Sequence, residues 1–85
     1  MSDVRLKPRE KEIVRLVASG LSNKEIATAL GITHQTVKNH LNNVYRIWQV
    51  NDRTQAAICV FALGIMQPAE AYRAMIGYAR RDEPQ

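Results

Sequence analysis

Residues Ser22–Leu41, SNKEIATALGITHQTVKNHL, contain the signals for two helices separated by a turn. Ser22 precedes Glu25 by three positions, which is the capping-box pattern that starts a helix. Gly31 ends this helix, because glycine readily adopts the left-handed conformation found at helix C-termini. Thr33 then caps the next helix. A short helix, a glycine turn and a longer helix together form a helix-turn-helix unit.

Helical patterns continue on both sides of this unit and predict an all-α fold. Pro8 is suited to the first position of a first helix, and Gly20 to its end. The third helix extends to the break at Asn51–Asp52, a fourth helix then ends at Gly64, and a fifth begins at Pro68. The third helix has an apolar stripe, which predicts that one of its sides is buried. The stripe consists of Val37, Leu41, Val44, Tyr45 and Trp48. In the fifth helix, Tyr72, Met75, Ile76 and Ala79 have the spacing of an apolar face.

These boundaries divide the chain into four segments. We expect an N-terminal arm at 1–5, a four-helix (tetrahelical) helix-turn-helix domain at 6–65, an additional C-terminal fifth helix at 66–81 and a frayed tail at 82–85. A chain of 85 residues is one domain, which excludes a two-domain enzyme.

Composition excludes several further classes of protein. The longest mostly apolar stretch, Ala56–Met66, is too short to cross a bilayer, which needs about 20 residues. The N-terminus has no apolar run of the kind that a secretory signal requires. Cys59 is the only cysteine, so the chain has no internal disulfide and no cysteine-based zinc site. We therefore expect a cytoplasmic protein.

The distribution of charge points to a nucleic acid. The formal net charge is +4, and the segment Ile26–Asn51 contains no carboxylate. Lys38 and Arg46 lie inside this segment, together with His34 and His40. A phosphate backbone would meet no repulsion there.

The side of the third helix opposite its apolar stripe is rich in hydrogen-bonding groups. It carries Gln35, Lys38, Asn39, Asn42 and Asn43. In the major groove, asparagine can pair with adenine and lysine with guanine. The alternative is that this is simply the solvated polar face that every surface helix has.

The sequence resembles the LuxR/NarL/FixJ-type (GerE-like) DNA-binding domain over about Leu6–Leu63. The motifs that carry the resemblance are Leu6–Val14, Gly20–Ala27, Leu30–Thr33, Thr36–Leu41 and Arg53–Ala57, in that order. The resemblance implies a four-helix domain that binds an inverted repeat as a dimer, with the third helix in the major groove.

The resemblance also implies roles for individual residues. The positions that would read bases are Lys38, Asn39 and Asn42. The positions that would contact the DNA backbone or orient the reading helix are Asn23, Lys24, Thr36 and Arg46. Further candidate DNA contacts are His34, Gln35 and Asn43. Independently, Asn23 and Lys24 lie in the first turn of a helix, where free N–H groups favour a phosphate oxygen.

Three positions depart from the family pattern. Lys7 stands where the family usually has a threonine cap, a loss of about 1 kcal/mol to the first helix. Ile47-Trp48 replaces a common Lys-Leu pair, which removes one positive charge and enlarges a core residue.

The fourth helix is apolar throughout Ala56–Ile65, so both of its faces favour burial. A two-fold dimer would bury the outer face, and the resembled family uses this helix for its dimer contact. Candidate interface residues are Ile58, Phe61, Ala62 and Ile65. The alternative is that the fifth helix covers this face within one chain, or that it extends the dimer surface.

Other chemistry finds little support in the sequence. His34 and His40 lie six positions apart, not at the i, i+4 spacing of a metal-binding pair, so we predict no metal site. No set of residues fits a catalytic site or a cofactor site, so an enzyme is not expected. Cys59 is interpreted as an inert thiol in the core or in an interface.

We therefore expect a sequence-specific DNA-binding transcription regulator that acts as a homodimer at the bacterial nucleoid. Its partners would be double-stranded DNA and RNA polymerase. The Met1 start and the fifth helix favour a stand-alone regulator over an excised C-terminal domain. One alternative is an interaction protein that heterodimerises with full-length LuxR-type regulators and keeps them off DNA. Another is a sigma-factor-type domain, which resembles this chain only in the helix pair.

Overall fold

The structure, a computed structural model, describes residues 6–81; of Arg80 and Arg81 it describes the backbone only. The predicted arm at 1–5 and tail at 82–85 lie outside this range. Within it the chain forms five α-helices and no strand, which confirms the predicted all-α class. The helices are α1 (Pro8–Ala18), α2 (Asn23–Leu30), α3 (His34–Trp48), α4 (Arg53–Ala62) and α5 (Pro68–Arg81).

The predicted caps start α2, α3 and α4. The Ser22 hydroxyl accepts a hydrogen bond from the Glu25 N–H, and the Glu25 carboxylate accepts one from the Ser22 N–H. Thr33 caps α3 through the N–H of the third residue inside the helix, and Asp52 caps α4 in the same way. Gly31, at φ +68°, ends α2 in the left-handed conformation that the turn requires.

Two helices end earlier than the sequence predicts. Helix α3 stops at Trp48 rather than at Asn51–Asp52, because Gln49 adopts the left-handed conformation at φ 57°. The Val50 N–H then donates to the Tyr45 carbonyl, a pattern that closes a helix end without glycine. Helix α4 stops at Ala62, two residues before Gly64.

Helix α1 lacks a side-chain oxygen at its N-cap, as predicted, and a hydrogen bond to Glu10 compensates in part. Lys7 occupies the N-cap position and has no oxygen in its side chain to accept a backbone N–H. The Glu10 carboxylate instead accepts a hydrogen bond from the Lys7 backbone N–H at 3.0 Å. Half of a capping box therefore remains.

Helices α1 to α4 enclose one apolar core. Its fully buried side chains come from every one of these helices: Ile13, Val14, Ile26, Val37, Val44 and Val60. Tyr45 and Trp48, predicted as part of the α3 stripe, are only half-buried and pack against the edge of this core.

Helix α5 packs against α1. The Arg15 guanidinium donates to the Ile65 carbonyl at 2.6 Å and to the Glu70 carboxylate at 2.5 Å. The Tyr78 hydroxyl donates to the carbonyl of Glu25, in α2, at 3.2 Å. This helix is anchored to the first two helices of the domain at both ends.

Of the four residues predicted for the apolar face of α5, Ile76 is half-buried, whereas Tyr72, Met75 and Ala79 are exposed. The residues of α5 that pack against the core are Ala71, which is buried, and Tyr78, which is half-buried. Among the described residues, no helix has the length and hydrophobicity needed to span a membrane.

Candidate nucleic-acid interface

Helix α3 is held against the core along one side only. Val37, Leu41 and Val44 are each no more than 2% exposed. They recur at helical spacing, so the side chains on the opposite side of the helix are turned away from the domain. The buried side thus fixes which side of α3 faces outward.

The outward side carries the residues predicted to read bases. Lys38, Asn39 and Asn42 are all exposed, and α5, packed on α1, does not cover them. Asn39 is bonded within the helix, where its side-chain oxygen accepts from the Gln35 amide at 2.9 Å. Three further predicted residues are exposed on the same helix: His34, Gln35 and Arg46. The structure therefore brings together one lysine, one arginine and several amides on an accessible surface without a carboxylate.

The residues predicted to contact the DNA backbone lie around the start of the helix pair. Lys24 is exposed in the first turn of α2. Thr36 is half-buried in the first turn of α3, with its hydroxyl 2.8 Å from that of Thr33. Asn23 is half-buried, and its side-chain oxygen accepts a hydrogen bond from Arg53. That oxygen therefore helps to fix α2, and the backbone amides of the first turn remain the groups that favour an anion.

Asn43, predicted as a further DNA contact, is turned towards α1 instead. Its amide donates to the Glu10 carboxylate at 2.7 Å. His40, one turn earlier on the same flank, has Nδ1 at 3.8 Å from the same carboxylate. This flank joins α3 to α1, so its two side chains have a structural partner.

The sequence patterns do not single out Glu10, although the structure gives it a role in the site. It is 2% exposed, although glutamate is rarely buried without a partner. Burial alone would raise the pKa of its carboxyl. The hydrogen bonds from Lys7 and Asn43 and the nearby His40 lower the pKa and together outweigh burial, so the pKa lies below its ordinary value. The carboxylate is thus charged at neutral pH inside the domain. Its position three residues after a cap was the one available signal.

Arg53 was also missed. It begins α4 and donates to the Leu21 carbonyl and to the Asn23 side-chain oxygen, both at the start of α2. The first turn of α4 is thereby fixed to the helix that precedes the turn at Gly31.

The outer side of α4 is only partly open. Of the four dimer candidates, Ile58 is 60% exposed and Ala62 is exposed. Phe61 and Ile65 are half-buried and pack against the core of their own chain. Leu63, at the end of the helix, is 40% exposed. The fifth helix leaves Ile58 uncovered, so an exposed apolar surface remains on α4.

Residues 6–81 contain no group of side chains suited to hold a metal ion. Among these residues there is no cluster of three or more histidine, cysteine, aspartate or glutamate side chains that could hold an ion. His40 instead lies beside Glu10, as described above.

A short helix, a left-handed glycine and a second helix with an exposed, acid-free polar side define a helix-turn-helix DNA-binding domain. The sequence matches the model of the family described as GerE, bacterial regulatory proteins, luxR family, over residues 4–60. The chain belongs to this family of bacterial regulatory proteins, which confirms the resemblance seen in its motifs.

Similar proteins include those named response regulator protein VraR from Staphylococcus aureus, Staphylococcus saprophyticus and Staphylococcus epidermidis. Each is 48% identical to this chain over 62 residues. The aligned segment covers 73% of this chain and 30% of each relative. The chain therefore corresponds to less than a third of the length of these relatives.

Proposed function

We propose that this chain binds an inverted-repeat DNA site as a homodimer and regulates transcription in a sequence-specific way. One α3 helix of each copy enters the major groove. Lys38, Asn39 and Asn42 contact base edges there. The backbone contacts come from Lys24 and Arg46, from the first turn of α2 around Asn23, and from Thr36.

The observation that carries this proposal is the exposed polar side of α3. A major groove about 12 Å wide admits one helix, provided that its outward side chains are accessible. The buried Val37, Leu41 and Val44 lie opposite these side chains and fix the helix from behind. Sequence reading also needs amide and cationic groups without repulsion from the phosphates, and this surface has both properties.

The homodimer is supported by the exposed part of α4. Ile58 and Ala62 lie one turn apart on a side that neither the core nor α5 covers. A two-fold dimer relates its two copies of α3 by the same symmetry that relates the half-sites of an inverted repeat. The relatives named response regulators support a regulatory role. We further propose that the chain acts at the bacterial nucleoid, with RNA polymerase as an additional partner.

Selection of bound duplexes from a random pool tests the proposal. The expected result is enrichment of a short motif that occurs twice in opposite orientations, with the two half-sites about one helical turn apart. Enrichment of a single half-site would remove the dimer from the proposal. Failure to retain any duplex even at low salt would favour the alternative, an interaction protein that pairs with full-length LuxR-type regulators and keeps them off DNA. Stable co-purification with polymerase core in the absence of DNA would favour the sigma-factor-type interpretation.

A further inference from the structure

The buried carboxylate of Glu10 connects α1 to the helix proposed to read DNA. Its two oxygens have separate partners: one accepts from the Lys7 backbone N–H at 3.0 Å, and the other from the Asn43 amide at 2.7 Å. Glu10 therefore holds the start of α1 and the middle of α3 in one fixed relation. With 2% exposure, it has no access to a ligand itself.

The apolar contacts of α3 fix which of its sides faces the core, but they have no directional preference of the kind that a hydrogen bond has. Burial of Val37, Leu41 and Val44 is non-directional, so only side-chain packing opposes small rotations or shifts of the helix. A hydrogen bond to a charged acceptor is directional and stronger than a neutral one. The bond from Asn43 thus adds a restraint that the core lacks.

Asn43 is the residue directly after Asn42, and both project from the same turn of α3. A restraint on Asn43 therefore acts within one residue of a proposed base contact. Bidentate base recognition requires donor and acceptor positions defined to a fraction of an ångström. A loosened α3 would still meet phosphates, whose attraction is long-ranged, but would lose discrimination among bases.

We propose that Glu10 and Asn43 are positioning residues for base reading, and that their hydrogen bond sets the sequence discrimination of α3 without either side chain touching DNA. This inference rests on the proposed function and adds to it. If the chain binds no duplex at all, the proposed function fails; if it binds and discriminates without this bond, only the present inference fails.

The test compares two probes of equal length, the strongest duplex from the random-pool selection and a scrambled duplex of the same composition. Asn43→Ala is expected to weaken binding to the selected duplex about tenfold, the size of one mismatched base pair. Binding to the scrambled duplex should change less than about twofold, because phosphate contacts are kept. Asn51→Ala, the same change at an exposed asparagine whose side chain has no hydrogen bond among residues 6–81, is the matched control and should alter neither.

Glu10→Leu separates positioning from direct contact. Its apolar side chain has no acceptor, so the bond from Asn43 is lost whichever way the Asn43 amide is turned. We expect the ratio of the two affinities to fall as in Asn43→Ala, although Glu10 lies on α1 and is buried. An unchanged ratio in folded Glu10→Leu would mean that Asn43 acts by touching DNA, and would overturn the inference.

The double variant Glu10→Gln with Asn43→Asp provides a rescue. The new amide can accept from the Lys7 N–H and donate to the new carboxylate, so both bonds return with the donor reversed. The affinity ratio should recover to within about twofold of the original, even if the moved charge weakens both probes. Failure to recover in a folded double variant contradicts the inference.

If the Glu10 variants do not fold, hydrogen exchange in folded Asn43→Ala decides the matter. Backbone amides from Lys38 to Asn42 should exchange faster than in the original chain, because a rotational restraint on α3 is gone. Unchanged exchange together with an unchanged affinity ratio would overturn the proposal.

Discussion

The guanidinium of Arg53, in the first turn of α4, donates a hydrogen bond to the side-chain oxygen of Asn23, in the first turn of α2. The same guanidinium donates to the carbonyl of Leu21, just before α2. The helix proposed for dimer contact is therefore joined to the helix end proposed to approach phosphate.

Arg53→Ala should lower the free energy of unfolding by about 1–3 kcal/mol, because the carbonyl of the buried Leu21 and the side-chain oxygen of the half-buried Asn23 lose a charged donor. Arg53→Lys should recover only part of this, since a single ammonium lacks the planar fork that reaches two acceptors. Denaturant unfolding followed by Trp48 fluorescence measures both. Arg73→Ala, at an exposed arginine of α5, is the control; an equal loss there would show that general charge, not the bridge, is responsible.

Base reading predicts losses that depend on sequence. Lys38→Ala and Asn42→Ala should each cost about 1–3 kcal/mol at the selected duplex and much less on scrambled DNA. Both residues are exposed, so the free energy of unfolding should stay within about 0.5 kcal/mol of the original. Titration of each duplex by fluorescence anisotropy is the measurement. Equal losses on both duplexes would assign these residues to the backbone instead.

Local sequence signals predicted most of this fold, because its helix starts are encoded by single residues. Ser22, Thr33 and Asp52 cap the helices that they were expected to cap. The ends were less predictable where no glycine marks them: Gln49 takes a left-handed conformation that its residue type does not favour. A helix end of this kind depends on tertiary packing rather than on local preference.

In the candidate site, too, the local features could be predicted from the sequence and the long-range contacts could not. The exposed side of α3 could be predicted, since the positions of Val37, Leu41 and Val44 determine which residues lie opposite. The inward turn of Asn43 could not, because it depends on Glu10, which lies 33 residues earlier. Nor does periodicity reveal that Arg53 reaches Asn23 across 30 residues. Long-range polar pairs carry no periodic signal in a single sequence.

Backbone contacts predict losses that do not depend on sequence. Lys24→Ala and Arg46→Ala should weaken binding to selected and scrambled duplexes alike and lower the salt slope by about one each. The reason is that each lysine or arginine on a phosphate releases about one counterion. Affinities measured over a series of salt concentrations give the slope. A loss confined to the selected duplex would instead indicate a base contact.

The exposed side of α4 predicts an effect on assembly. Ile58→Glu should shift the dimer to monomer, because it places a charge in an apolar contact, while the fold of the single chain is kept. Phe61→Glu is less informative, since Phe61 packs against the core of its own chain. Sedimentation velocity reports the association state. Tyr72→Glu, at a residue 61% exposed on α5, is the matched control, and a dimer lost there but kept in Ile58→Glu would move the interface to α5.

The buried charge of Glu10 predicts an acid-sensitive fold. In the folded chain its pKa lies below the ordinary value of 4.5. As the pH falls below about 4.5, the unfolded chain therefore binds more protons than the folded chain does. The stabilising contribution is complete above this pH and is lost as the pH falls through the folded pKa. Unfolding free energies measured between pH 3 and pH 7 should therefore fall less steeply with acid in Glu10→Gln, which already lacks the contribution at neutral pH. Glu12→Gln, at an exposed surface ion pair with Arg9, should keep the original slope; an acid response unchanged by Glu10→Gln would show that other carboxylates control the stability of the domain.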